Sequence, residues 1–138
     1  MTTQLTFAEE FRYDDASIGI SIPVTIHYGE KSLRFDAKVD TGAAVCLFMH
    51  EHAIALGLSL EQGLPIVLSG LGGSIKASGH EIILQTGDIA FQSIVYFAKH
   101  PGLSRNLLGR QGWLRNLKLA VIDYDSLLYL SAYESSSF

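Results

Sequence analysis

Val39-Asp40-Thr41-Gly42-Ala43 closes one run of alternating residues, and Asn106-Leu107-Leu108-Gly109-Arg110 follows about half a chain later. Leu33, Phe35, Ala37 and Val39 lead with polar neighbours straight into Asp40. That period of two predicts a β-strand, with the carboxylate placed where the strand gives way to a tight loop. The hydroxyl of Thr41 can hydrogen-bond nearby backbone, and Gly42 lets backbone N–H groups come close to the acid. Between the two stretches lies Gly70-Leu71-Gly72-Gly73-Ser74-Ile75-Lys76. Glycines in such a cluster permit the positive φ of tight hairpin turns and leave the tip free to move.

Outward from these landmarks the chain reads as short strands. Ile18, Ile20, Ile22, Val24 and Ile26 alternate cleanly, and Tyr28-Gly29-Glu30-Lys31 is a turn. Residues 43–48 are small and apolar, as in a buried strand. A short helix over 50–58 ends at Gly57. Strands over 65–68 and 74–84 flank the glycine-rich tip, and Thr86-Gly87-Asp88 turns into a strand over 89–98. Leu107 and Leu108 form a short buried segment, residues 112–117 a second helix, and 119–124 with 126–133 a final hairpin. Many short strands with glycine turns and two short helices predict an all-β, barrel-like fold.

Composition narrows the class. With 138 residues, 48% of them hydrophobic and 17% charged, the chain is one globular domain able to bury a core. Its division is a 1–17 extension, a domain over 18–133 and a 134–138 tail. The extension alternates at Leu5 and Phe7, which suggests a short strand, and then turns acidic at Glu9, Glu10, Asp14 and Asp15. A net charge of −4, with no basic run, argues against a nucleic-acid partner. No apolar stretch reaches membrane-spanning length, and residues 1–10 lack the pattern of a signal peptide. Cys46 is the single cysteine, so no internal disulfide framework exists and a reducing cytoplasm fits.

Asp40-Thr41-Gly42-Ala43 and the later Leu107-Leu108-Gly109-Arg110, in that order with a glycine-rich hairpin between, resemble the retropepsin-like aspartic proteases, in particular their stand-alone bacterial members. The resemblance covers roughly residues 18–133. It implies a closed β-barrel of short strands with one or two short helices. It also implies an aspartic endopeptidase that acts on peptide or protein substrates and needs neither metal nor cofactor. Catalysis would fall to Asp40, Thr41 and Gly42. Substrate would meet Ala43 and the flap residues Leu71, Gly72, Gly73 and Ser74. Because the chain carries one Asp-Thr-Gly and has no room for a second lobe, catalysis implies a symmetric homodimer with one Asp40 from each protomer. Thr41 would then bond across the dimer axis and hold the two carboxylates coplanar.

The chemistry suits that arrangement. Two carboxylates within hydrogen-bond distance cannot both ionise, so they share one proton, as is established for the aspartic-protease dyad. The ionised member can act as base toward a water while its protonated partner hydrogen-bonds the scissile carbonyl. At one position the chain departs from the family. In retroviral members the Arg after the apolar-apolar-Gly pairs with an Asp four positions beyond the catalytic one, and that position is Ala44 here. Arg110 therefore needs another partner if partly buried, with Asp36 and Asp123 both candidates. The departure gives slight weight to an alternative, a non-catalytic retropepsin-like dimerisation or peptide-binding module, while the intact Asp40, Thr41 and Gly42 favour the enzyme more. A third reading makes residues 1–17 an occluding segment of a processing enzyme with one target.

Other constellations lose to simpler readings. Cys46 with His50 or His52 invites a thiol-protease reading, but Cys46 lies in an apolar run and reads as core. His50-Glu51-His52 puts its histidines two apart, on different faces of a helix, whereas a helical zinc pair needs i, i+4 spacing. Asp123-Tyr124-Asp125 puts two acids on one strand face, a Ca²⁺ fragment or, more simply, a solvated strand end.

Overall fold

The structure, a computed structural model, describes residues 1–70 and 72–134. Ten strands, one α-helix and two single turns of 3-10 helix follow one another along them. Strands β2 (Ser21–Tyr28) and β3 (Lys31–Val39) form a hairpin turned at Gly29, whose φ of 59° suits a residue without a side chain. The alternation in β2 buries Ile22, Val24 and Ile26. The strand begins at Ser21 rather than Ile18. Gly19, at φ 88°, bends the chain first, and Ile18 is left in solvent.

Strand β4 (Leu47–Phe48) leads into α1 (His50–Leu56), which stops at Gly57 in the left-handed region. The buried strand expected over 43–48 shrinks to β4, because its first residues turn across the chain after Gly109 instead of joining a ladder. Strands β5 (Leu64–Gly70), β6 (Gly73–Thr86) and β7 (Ile89–Ala98) form consecutive antiparallel pairs. Short β8 (Leu107–Leu108) runs parallel to the end of β3. These seven lie in the order β2-β3-β8-β4-β7-β6-β5, and Thr25, Ile26 and His27 of β2 also pair Gln85, Leu84 and Ile83 of β6. The far side of the sheet thus returns to its first strand. The chain is all-β, as its alternation and glycine turns predict.

A second sheet has the order β1-β10-β9, with β1 at Glu9–Arg12, β9 at Leu117–Ile122 and β10 at Leu127–Ala132. The N-terminal segment is stitched to it. The Ala8 amide donates to Ser131 Oγ, the Tyr13 amide to the Ser126 carbonyl, and the Tyr13 hydroxyl to Asp123. The strand falls at residues 9–12, not at Leu5 and Phe7. The expected second helix is one 3-10 turn, Leu114–Asn116, because Gly112 at φ 97° precedes it and the backbone is extended again at Leu117. Asp123–Asp125 is also a 3-10 turn rather than strand. Trp113, Phe48 and Phe97 centre the core, with the Trp113 indole N–H donating to Thr86 Oγ1 at 3.4 Å. No helix among the described residues is long and apolar enough to cross a membrane.

Candidate active site

Two chain segments cross to build the loop around Asp40. The Lys38 amide donates to the Asn106 carbonyl at 2.8 Å, and the Asp40 amide to the Leu108 carbonyl at 2.9 Å. Beyond Asp40 the direction of support reverses. The Arg110 amide donates to the Ala43 carbonyl and the Gln111 amide to the Ala44 carbonyl, both at 2.9 Å. Gly109 sits at the crossing. A Cβ there would run into the Val45 carbonyl and lie 2.9 Å from the Ala43 oxygen, so only glycine allows the two backbones to approach. The two motifs, far apart in sequence, are therefore one structural unit.

Within the loop, the Gly42 amide donates to Asp40 Oδ1 at 2.9 Å and the Ala43 amide to the Asp40 carbonyl at 3.1 Å. A Cβ on Gly42 would sit 3.3 Å from the same carboxylate oxygen, a tight contact that would press on the Asp40 side chain. Asp40 is half-buried, while Thr41 and Gly42 face solvent and Ala43 is half-covered. The arrangement offers an oriented, accessible carboxylate whose second oxygen is free of bonds within the described residues. Thr41 is exposed beside it, its hydroxyl without a hydrogen bond among the described residues.

Asn106 has no chemistry of its own in the motif, yet its side chain is a clasp. Buried, it accepts the Met49 amide at Oδ1 (2.9 Å) and donates from Nδ2 to the Asp36 carbonyl (3.2 Å). It thus fastens β3 to the start of α1. Nearby Arg110 is exposed rather than partly buried and makes no ion pair with Asp36 or Asp123. An exposed guanidinium does not need the carboxylate partner that a buried one would.

Gly70 pairs with Gly73 at the end of the β5–β6 hairpin. Leu71 lies outside the described residues. Gly73 has φ 111°, in the left-handed region. Ser74 is exposed, its hydroxyl 3.5 Å from that of Ser69. A cavity of about 510 Å³ lies against the hairpin, between Leu68, Ile75, the tip glycines and Arg105. Sequence reasoning passes over Arg105. Its only signal there is a lone cation in the loop that runs into Leu107-Leu108-Gly109.

The thiol and histidine constellations dissolve in the fold. Cys46 is fully buried, accepts the Gly109 amide at 3.4 Å, and its thiol is pushed up to about 12 by burial. It is a packing residue that leans on the same glycine. His50 Nδ1 faces the Ala98 carbonyl at 3.2 Å, while His52 stacks on Phe35 with ring centres 4.1 Å apart. The two histidines serve different neighbours.

Comparison with known proteins fixes the class of fold. No family model and no curated protein sequence matches this chain. Among solved structures, a retropepsin-like aspartic protease from Rickettsia conorii aligns over 90% of this chain and 99% of its own, with a TM-score of 0.64 and 18% identity. EIAV protease, complexed with the inhibitor HBY-793, aligns over 67% of this chain and 83% of its own, with a TM-score of 0.53 and 17% identity. The chain has the retropepsin-like fold.

Proposed function

We propose that this chain is an aspartic endopeptidase that hydrolyses peptide bonds as a homodimer, using Asp40 from each protomer. The observation that carries the reading is the Asp40 loop itself. A half-buried carboxylate, oriented through one oxygen by Gly42 and braced through Gly109, is held open to a partner on its other oxygen. The likeness in fold to two proteases supports it. In the proposed reaction one Asp40 accepts a proton from water as the water adds to the scissile carbonyl. The other donates a hydrogen bond to the carbonyl oxygen, and the proton returns to the leaving amine. Thr41, with its exposed hydroxyl, is proposed to bond the partner's loop. Gly42 shapes the loop, and Ala43, Leu71, Gly72, Gly73 and Ser74 meet the substrate. The single buried cysteine fits a cytoplasmic setting.

The test is Asp40→Asn. Asparagine keeps the oxygen that accepts the Gly42 amide but can supply neither the base nor the shared proton. Cleavage of a broad peptide library should fall by at least about a thousandfold, roughly the contribution of general acid–base catalysis, with the fold intact by circular dichroism. Equal cleavage by the two proteins would sink the assignment. The second reading, a dimerisation or peptide-binding module without turnover, draws on Ala44 and on the solvent-facing Arg110, which lack the retroviral-style ion pair. No cleavage by the wild type at any pH from acid to neutral would favour that module.

A further inference from the structure

The cavity against the β5–β6 hairpin has a marked asymmetry of chemistry. Leu68 and Ile75 are directly paired across the hairpin and half-buried, so they supply an apolar floor. The tip glycines and Ser69 carry no charge. Arg105 is the one ionised side chain on the wall. A guanidinium on a largely apolar surface gains most from a carboxylate, which it can meet with two parallel hydrogen bonds. None is supplied from within the described residues, where Arg105 has no ion pair or side-chain hydrogen bond. Asp36 borders a neighbouring cavity of about 370 Å³ that Arg105 also lines, yet the two do not pair.

Arg105 is also set firmly relative to Asp40. It precedes Asn106, whose side chain and carbonyl hold β3 at two points, and the same segment continues to Leu108, which holds the Asp40 amide. Ile75 lines a further cavity of about 290 Å³ with His100, Leu103 and Lys76. The hairpin and the 100–105 loop therefore face each other on two sides of one residue, and the loop side carries cationic or neutral groups only. Lys76 and Arg105 line the cavities on the two sides of Ile75.

We propose that Arg105 is a specificity residue that selects peptide segments carrying an Asp or Glu side chain, seated in the hairpin cavity with an apolar neighbour against Leu68 and Ile75. The inference rests on the protease reading for its consequence, cleavage beside an acidic residue, but the recognition itself does not require turnover. The experiment separates the two. A proteome-derived peptide library is digested by the wild type, Arg105→Gln and Arg105→Glu, and the cut sites are read by mass spectrometry. The same library is passed over immobilised Asp40→Asn protein and the retained peptides are sequenced. The expected result is about tenfold enrichment of Asp and Glu over Asn and Gln at one subsite, the size of a charge-assisted hydrogen bond. Arg105→Gln should lose the enrichment, and Arg105→Glu should replace it with Lys and Arg. Arg105 is exposed, so the variants should melt with the wild type. Cleavage with no acidic preference, or a preference unchanged in Arg105→Glu, overturns the proposal and leaves the protease standing. Acid-enriched retention without cleavage supports the proposal and removes the protease. Neither cleavage nor retention removes both.

Discussion

Gly109 is the residue on which the Asp40 loop leans, through backbone contact rather than any side chain of its own. A methyl group at this position would meet the carbonyl of Val45, which cannot move without dragging the segment that leads into β4. Gly109→Ala should cost about 2–3 kcal/mol, typical of overpacking a tight interior. That should appear as a drop of roughly 10 °C in the thermal midpoint. Cleavage should fall further than stability explains, since the Ala43 carbonyl would shift with it. A Gly109→Ala variant that melts with the wild type would show that the two backbones can part at little cost. Asn106 matters at the same scale for the opposite reason, because its side chain replaces backbone bonds that β3 and α1 cannot make to each other.

At the level of the element, the β5–β6 hairpin places a conformational demand on Gly73 that sequence alone does not single out. Gly73 has φ 111°, a conformation that a β-branched residue reaches only under strain, although an added Cβ there meets open space. Gly73→Val should therefore distort the tip and impair turnover. The thermal midpoint should hardly move, since an exposed tip can give locally without global unfolding. Global unfolding of Gly73→Val would make the glycine structural and end its role in a lid.

For the whole molecule, acid works against the fold. His52 stacks on Phe35 and His80 packs edge-on to Phe97 beside Ser78, and burial lowers the pKa of both from the ordinary histidine value. The unfolded chain then takes up protons first as pH falls. The stability tied to neutral histidine is complete above about 6.5 and is lost as pH drops below it toward the lowered folded values. The urea midpoint should thus be lower at pH 5 than at pH 7.5, and His52→Gln with His80→Gln should flatten the slope. A midpoint that holds or rises on acidification would contradict this. An aspartic dyad works on the acidic side of neutrality, so unfolding should bound the activity profile from below. If Asp40 is the catalytic carboxylate, turnover needs a second copy of the chain: sedimentation equilibrium at micromolar concentration should then find twice the chain mass. A strict monomer, with or without peptide, would leave the binding module ahead.

The sequence by itself determined the elements whose signal is local. Period-two alternation marked β2 and β3, and turn glycines marked the hairpins around Gly29 and Gly87 and the strand at Ile89–Ala98. The Asp40 loop was legible because its acid, hydroxyl and glycine are contiguous. Tertiary structure decided what depends on partners distant in the chain. The 43–48 run reads as a strand but is pulled across Gly109, and residues 112–117 have helical composition yet make one 3-10 turn before β9 takes the backbone. Arg110, read as partly buried, faces water, whereas the unremarkable Arg105 lines a cavity. Exposure and cavity walls are set by which segments meet across the fold. Neither spacing nor composition along the chain encodes that meeting, because the residues on the two sides of the hairpin cavity are some thirty positions apart.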